Sequence, residues 1–420
     1  MAGLITAELI QRSPGDLAVL GMGAGIGIAI VAAAVADRHS LAVLYSGAAL
    51  LTGALVDLPT ASSFAGISGL GALTILLAGL GVLMAAYERS RGAGGWLLAA
   101  TVWAAAGFIW APITLSGLQT VLVMLVFLLC IRSASAASAN KGAITVDRAM
   151  IVAILLGSGF YAATVIMNGP GSSGLVSPRA FGLSGLIFVA WLLASVRYRS
   201  VHYLWLLGLV CTLMLLSLSR AAILTAFLVM PLTWIASNGR IRILRTFVVI
   251  ASIAAIFYVL FHNVATFRER FTEGDVVQVA GSLNVNASGR FQIWPLVWDS
   301  AKTSPLLGHG AGSAAVLTDR TFDSIGHPHN DYLRMFHDFG IVGLSMWVVG
   351  ITTLVGRTAR AWKRADLLGL PEARLHLSAL LALIAVSISM FTDNSMTYLF
   401  VMAPLGILVG LSVGTARRMA

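Results

Sequence analysis

The sequence predicts an all-α, polytopic membrane bundle, and three observations carry that expectation. Hydrophobic residues make up 58% and charged residues 10% of the 420-residue chain, and the mean hydropathy is +0.90. A single globule with a polar surface cannot be built from that composition. Apolar runs recur at roughly the ~20 residues that a helix needs to cross ~30 Å of hydrocarbon. None alternates polar with apolar residues as a barrel strand does, so helices must satisfy the backbone in lipid.

In order, the predicted spans lie near residues 17–36, 41–56, 63–87, 96–113, 117–131, 149–167, 180–196, 201–218, 221–236, 246–262, 338–356, 375–391 and 398–414. This gives about 12 to 13 transmembrane helices, the lower count if one early pair merges. The opening "MAGLITAELIQRSPGD" lacks the basic, apolar and small-residue regions of a secretory signal, and an amphipathic lead-in is expected there. Cys130 and Cys211 fall inside separate apolar runs, which suggests neither a disulfide framework nor a thiolate metal site.

One stretch is too polar to span. Residues 263–337 form a large extramembrane loop, dividing the chain into an N-terminal bundle (1–262), the loop, and a C-terminal set of helices (338–420). Most of the 27 Lys and Arg residues fall in alternate loops, among them Arg148, Arg197, Arg199, Arg357, Arg364 and Arg374. By the positive-inside rule those loops face the cytoplasm and the large loop faces outward. The net charge of +10 is assigned to these loops and to anionic membrane lipids, not to nucleic acid.

The exceptions to that charge pattern are informative. Arg179 in "GLVSPRAFGLSG" opens one span, and Arg220 in "SLSRAAILTAF" sits between two. Arginine at a membrane edge is costly unless paired or wetted, which marks both as functional candidates. Within the loop, "SGRFQIWPLVWDSA" places Phe291, Trp294 and Trp298 at helical spacing, with Ser288 as the expected cap and a kink at Pro295. Arg290 then projects from the first turn of an amphipathic helix.

Two weaker motifs are read as structural. "GMGAGIG" at 21–27 has no preceding strand and fits close helix packing better than a dinucleotide loop. "GHGAGS" at 308–313 lacks the Lys and Ser/Thr of a nucleotide-binding loop and reads as a plain turn. "HPHND" supplies His327, His329 and Asp331, but no second cluster of ligands completes a metal site. Arginines with a neutral imidazole on one face suit an anionic substrate, because guanidinium forks match phosphate oxygens and imidazole accepts a proton near neutrality. Acidic residues are scarce there, which argues against a glycosidase-like carboxylate pair.

The segments "SPLLGHGAGS" and "HPHNDYLRMFHDFGIVGL", together with "SLSRAA" and "SGRFQIWPLVWDSA", resemble the signature of the bacterial O-antigen ligase and O-antigen polymerase superfamily. The resemblance covers roughly residues 150–400 and implies a metal-independent, inverting glycosyltransferase of the bacterial inner membrane, with its site facing the periplasm. It implies an undecaprenyl diphosphate-linked glycan as donor, a lipid A-core or glycan hydroxyl as acceptor, and no cofactor. His329 is then expected as general base, and Arg220 and Arg290 as catalytic arginines that stabilise the diphosphate. Arg179 helps to place the diphosphate, and Asn330 and Asp331 hold the loop and orient the imidazole; His327 has no clear counterpart but lies beside the substrate. Related protein-targeting oligosaccharyltransferases usually add sequence after the last spans, whereas the last span here closes just before Ala420. A ligase is therefore expected, with a polymerase or a lipid-linked glycan transporter as alternatives.

Overall fold

The computed structural model describes residues 94–137, 142–235, 261–272, 276–280, 283–286, 289–322 and 327–418, with isolated positions between 46 and 77 and between 248 and 259. The expected span at 17–36, most of those at 41–56, 63–87 and 246–262, and the "GMGAGIG" motif lie outside the described residues. Elsewhere the helical bundle is as expected. Its helices are α1 (Gly95–Ala106), α2 (Leu115–Ala137), α3 (Gly142–Asn168), α4 (Pro178–Tyr198), α5 (Tyr203–Leu216), α6 (Arg220–Val229) and α7 (Leu232–Ile235). The loop region contributes α8 (Ala265–Thr272), α9 (Arg290–Ala301) and α10 (Ser313–Phe322). After it come α11 (Asp331–Leu367), α12 (Ala373–Ser389) and α13 (Leu399–Arg418). Among the described residues, α2, α3, α4, α11 and α13 contain stretches long and apolar enough to cross a membrane.

The structure corrects two local expectations and adds one element. Ser63–Phe64 pairs with Ile67–Ser68 in a short antiparallel hairpin, so a helical span cannot begin at residue 63. The Ser- and Gly-rich sequence there favours turns over helix. A second hairpin joins Val276–Ala280 to Leu283–Asn286 within the loop region. Helix α9 is capped by Gly289 in a left-handed conformation (φ 74°), with no side-chain cap bond, and the expected cap Ser288 lies outside the described residues.

The core is formed by α2, α4, α12 and α13. Helix α13 lies against α2 at Gly406 and Gly410, where a Cβ on Gly410 would sit 2.4 Å from the Ile131 carbonyl oxygen. Small residues at four-residue spacing permit this close approach, the usual packing device where lipid removes the hydrophobic drive between helices.

Helix α4 relates the two ends of the bundle. Arg179 lies in its first turn and Arg197 in its last, roughly 27 Å apart at 1.5 Å per residue, close to the thickness of a hydrocarbon core. At the Arg197 end, Arg197 pairs with Asp366 at 3.2 Å, while Asp147 receives Arg199 at 2.8 Å and Arg374 at 2.7 Å. The predicted basic loops therefore meet at one end of the bundle, and Arg179 marks the opposite end.

Helix α11 begins at Asp331, inside what the sequence suggested was loop, and bends at Gly340 (φ 65°, ψ −172°) before its apolar stretch. That conformation is essentially reserved for glycine. A Cβ at Gly340 would also lie 2.1 Å from the Leu306 carbonyl oxygen. Gly340→Ala is expected to destabilise the protein by at least about 1–3 kcal/mol from backbone strain, visible as a lower thermal midpoint in detergent. An unchanged midpoint would show that the bend relaxes without cost.

Candidate active site

Each candidate side chain is placed by a local structural device. Ser177 caps α4, its Oγ accepting the Ala180 N–H at 3.3 Å, and Pro178 occupies the first turn. Arg179 is thereby presented at the helix start. Arg220 is the first residue of α6, whose start abuts α4 so closely that a Cβ on Gly182 would sit 3.0 Å from Ser219 and Ala222 side-chain atoms. Both arginines thus add positive charge to helix N-termini that are already positive, a combination suited to an anion.

His329 follows Pro328 and has φ 53°, one of two non-glycine residues with positive φ among those described. Such a conformation costs on the order of 1 kcal/mol and persists only where the surroundings enforce it. Here they are explicit. On the carboxyl side, Asn330 is extended and caps α11, its Oδ1 accepting the Leu333 N–H at 3.0 Å. On the amino side, the Pro328 carbonyl accepts Trp294 Nε1–H from α9 at 2.9 Å. The imidazole is directed at Arg179, whose Nη2 lies 2.7 Å from His329 Nδ1. Asn394 Nδ2 lies 3.2 Å from the same nitrogen.

Asp393 and Asn394 went unrecognised in the sequence. They lie in the loop between α12 and α13. Asp393, with a side chain only 5% exposed, accepts from Arg179 Nε at 2.8 Å and from Nη2 of the same guanidinium. Arg290 Nη2 donates to the Thr392 carbonyl at 3.0 Å in the same loop. An ionisable residue between two apolar runs was the available signal, and "FTDNSMTY" carries it.

Asp331 holds that loop in place. Its N–H donates to the Met390 carbonyl at 2.8 Å and its Oδ2 accepts the Met396 N–H at 2.7 Å. It is fully buried, with Arg334 Nη2 3.1 Å from its Oδ1. Asn330 and Asp331 both make hydrogen bonds that fix the segments on either side of His329. His327 lies within the electrostatic reach of Arg334 and His329, and its Nδ1 has no hydrogen-bond partner among the described residues.

The Gly-rich turn at 308–313 is filled from within. Asp338 Oδ1 accepts the Ala314 N–H at 2.8 Å and its Oδ2 the Gly312 N–H at 3.0 Å, while the Ser313 hydroxyl lies 2.9 Å from Oδ1. His337 Nε2 lies 3.0 Å from Ser300 Oγ, joining α9 to the same assembly. The amides at the start of α10 therefore serve an internal carboxylate, as a structural turn requires. No group of three His, Cys, Asp or Glu side chains among the described residues is arranged to hold a metal ion.

The electrostatics follow from this packing. Burial pulls the His329 pKa down from 6.5 to about 4, aided by the Arg179 and Arg290 charges and opposed by Asp393. Burial likewise takes His327 to about 3, with Arg334 adding to the effect. Burial lowers the Arg290 pKa, with Asp393 acting in the opposite direction. Both imidazoles are neutral at pH 7. Arginine has no acceptor, so His329 Nδ1 must be the acceptor of the Arg179 bond and the proton sits on Nε2.

Residues 204–348 match the family model described as O-antigen ligase. No curated protein matches the chain. The matched segment runs from α5 to the membrane entry of α11 and contains Arg220, Arg290 and His329. Arg179, Asp393 and Asn394 lie outside it and join the site through folding.

Proposed function

From a chain that carries a domain of the O-antigen ligase superfamily, we propose a membrane glycosyltransferase that moves a glycan from undecaprenyl diphosphate to an acceptor hydroxyl on lipid A-core. Its site faces the periplasm of a bacterial inner membrane. The observation that carries this reading is the convergence of Arg179, Arg290, Asp393 and Asn394 around the neutral imidazole of His329, at the end of the bundle opposite its basic loops. A diphosphate seated by the arginines presents its sugar beside that imidazole.

In the reaction, the acceptor oxygen attacks the anomeric carbon and a new C–O bond forms. The bond to the diphosphate oxygen breaks, and its electron pair leaves with the phosphate. The hydroxyl proton passes to His329, and attack opposite the leaving group inverts the anomeric centre. Arg290 and Arg220 stabilise the charge that grows on the diphosphate, the kind of interaction that is stronger in the transition state than before it.

The resting hydrogen bonds add a condition. While Arg179 donates to Nδ1, that lone pair is occupied and the imidazole cannot take a proton there. Diphosphate oxygens that attract the Arg179 N–H groups remove the closer of the two donors to Nδ1, leaving the longer contact with Asn394 Nδ2, and their negative charge raises the proton affinity of Nδ1. Donor binding thus prepares the base. The expected pH dependence follows from this sign. With donor limiting, kcat/KM keeps its neutral imidazole until the pH falls to about 4. At saturating donor, with acceptor limiting, the acid limb moves to higher pH. Coincident limbs under the two conditions would remove the proposed preparation step.

The function is tested by offering the purified protein undecaprenyl diphosphate-linked glycan and lipid A-core. Glycan on the core supports the ligase. Elongation of the donor glycan alone reassigns the chain to a polymerase, and lipid translocation without any new glycosidic bond overturns the enzyme reading.

A further inference from the structure

The backbone of Asn394 is fully occupied in its own loop. Its N–H donates to Asp393 Oδ1 at 2.7 Å, and its carbonyl accepts from the Thr397 N–H at 3.1 Å and the Thr397 hydroxyl at 2.8 Å. The side chain takes no part in this, because it makes no cap bond to the short helical turn Ser395–Thr397 that follows. Yet the residue is completely buried. Its carboxamide has one hydrogen-bond partner among the described residues, His329 Nδ1 at 3.2 Å from Nδ2, and its Oδ1 has none. A buried oxygen left without a donor is costly and rare, and this one lies beside the base.

The chemistry at Nδ1 accounts for both ends of the amide. Nδ1 begins the proton transfer as a lone pair and ends it as an N–H, so it needs a donor facing it before the step and an acceptor after it. Arg179 can serve only the first state, since guanidinium has no acceptor. A carboxamide serves both, through two ends of nearly equal size that a half-turn about the Cβ–Cγ bond exchanges.

We propose that Asn394 is a positioning residue that follows the proton. Its Nδ2–H holds the neutral imidazole, and its Oδ1 turns to accept the Nδ1–H once the acceptor hydroxyl has given up its proton. The inference rests on the general-base reading of His329. Turning sacrifices little, because protonation of Nδ1 already abolishes the bond from Nδ2 and Oδ1 has no partner to leave. The bond that replaces it is made to a cation and is roughly twice as strong. When the imidazolium later passes its proton to water, the amide turns back.

The sign of one shift tests this. Asn394→Leu keeps the side-chain shape and removes both ends of the amide. If the amide turns, the imidazolium loses more than the neutral ring does, and the His329 pKa falls by about one unit, a tenfold weaker hold on the proton. If Asn394 only donates, the substitution rids the imidazolium of a repulsive N–H, and a raised or unchanged pKa overturns the proposal. The other groups that act on this imidazole stay in place: Arg179 on α4, Arg290 on α9, Asp393 in the α12–α13 loop and His327 on the same segment. The pKa is read by NMR of the full-length protein with isotope-labelled histidine, in inorganic pyrophosphate to engage Arg179. The His329 signal is the one missing from His329→Ala.

Asn394→Asp, which keeps an acceptor and cannot donate, is the second variant. At saturating donor near pH 7 its transfer rate is expected to exceed that of Asn394→Leu by about tenfold, and equal losses in the two overturn the proposal. So does a His329 pKa in Asn394→Asp no higher than wild type, a result that stands even if Asn394→Leu does not fold. A wild type that transfers no glycan while the variants show the expected shifts would end the transferase reading and leave Asn394 as the partner of the Nδ1 proton.

Discussion

Purified His329→Ala is expected to lose glycan transfer by about 10²–10⁴-fold against wild type while keeping the wild-type thermal midpoint, measured with undecaprenyl diphosphate-linked glycan and lipid A-core. The range is that of a general base removed from an otherwise intact site. Alanine keeps a Cβ at φ 53°, so the backbone strain is the same before and after, and only the contacts of a half-buried imidazole are lost. The two effects therefore separate, with a large change in rate and a small one in stability. A merely structural histidine would do the reverse, and the residual activity of its variant would keep the wild-type acid limb. If His329 supplies the base, that limb disappears along with the rate. Full activity in the variant would remove the proposed mechanism altogether.

The same residue shows how much was legible beforehand. His329 and Arg290 stand out in sequence because polar residues are few, and Arg290 sits at a readable helix start, "SGRF" before α9, whereas the start of α11 at Asp331 was read as loop. The bundle was legible for a similar reason, since hydropathy follows from composition along each segment alone. Asp393 and Asn394 were harder to see. Their role depends on a loop 64 and 65 residues further along, brought to His329 by the bonds from Asp331 to Met390 and Met396. No local pattern encodes that meeting. The tautomer of His329 was hidden in the same way, because it depends on Arg179, 150 residues earlier in the chain.

Asp338→Ala is expected to cost about 2–6 kcal/mol, because it leaves the buried Gly312 and Ala314 amides without their acceptor at about 1–3 kcal/mol each. The Ser313 hydroxyl can rotate to its other partner, the Gly310 carbonyl at 2.7 Å, so it adds little. Asp338→Asn should cost less, since one carboxamide oxygen still serves one amide. The loss reaches the active site through a short path. Asp338 lies nine residues after His329 on the segment of α11 above the Gly340 bend. That segment is fastened to α10 by this carboxylate and to α9 by the contact between His337 and Ser300. Because α9 carries Arg290, loosening the clasp changes the distance between the arginine and the imidazole without touching either. Transfer should therefore fall in Asp338→Asn even at temperatures where the protein remains folded, with the acid limb of the surviving activity still set by His329. Thermal unfolding in detergent and the pH profile of Asp338→Asn measure the two parts. A wild-type melting midpoint in Asp338→Ala would mean that the turn amides find another acceptor, and the clasp would then have no part in setting the site.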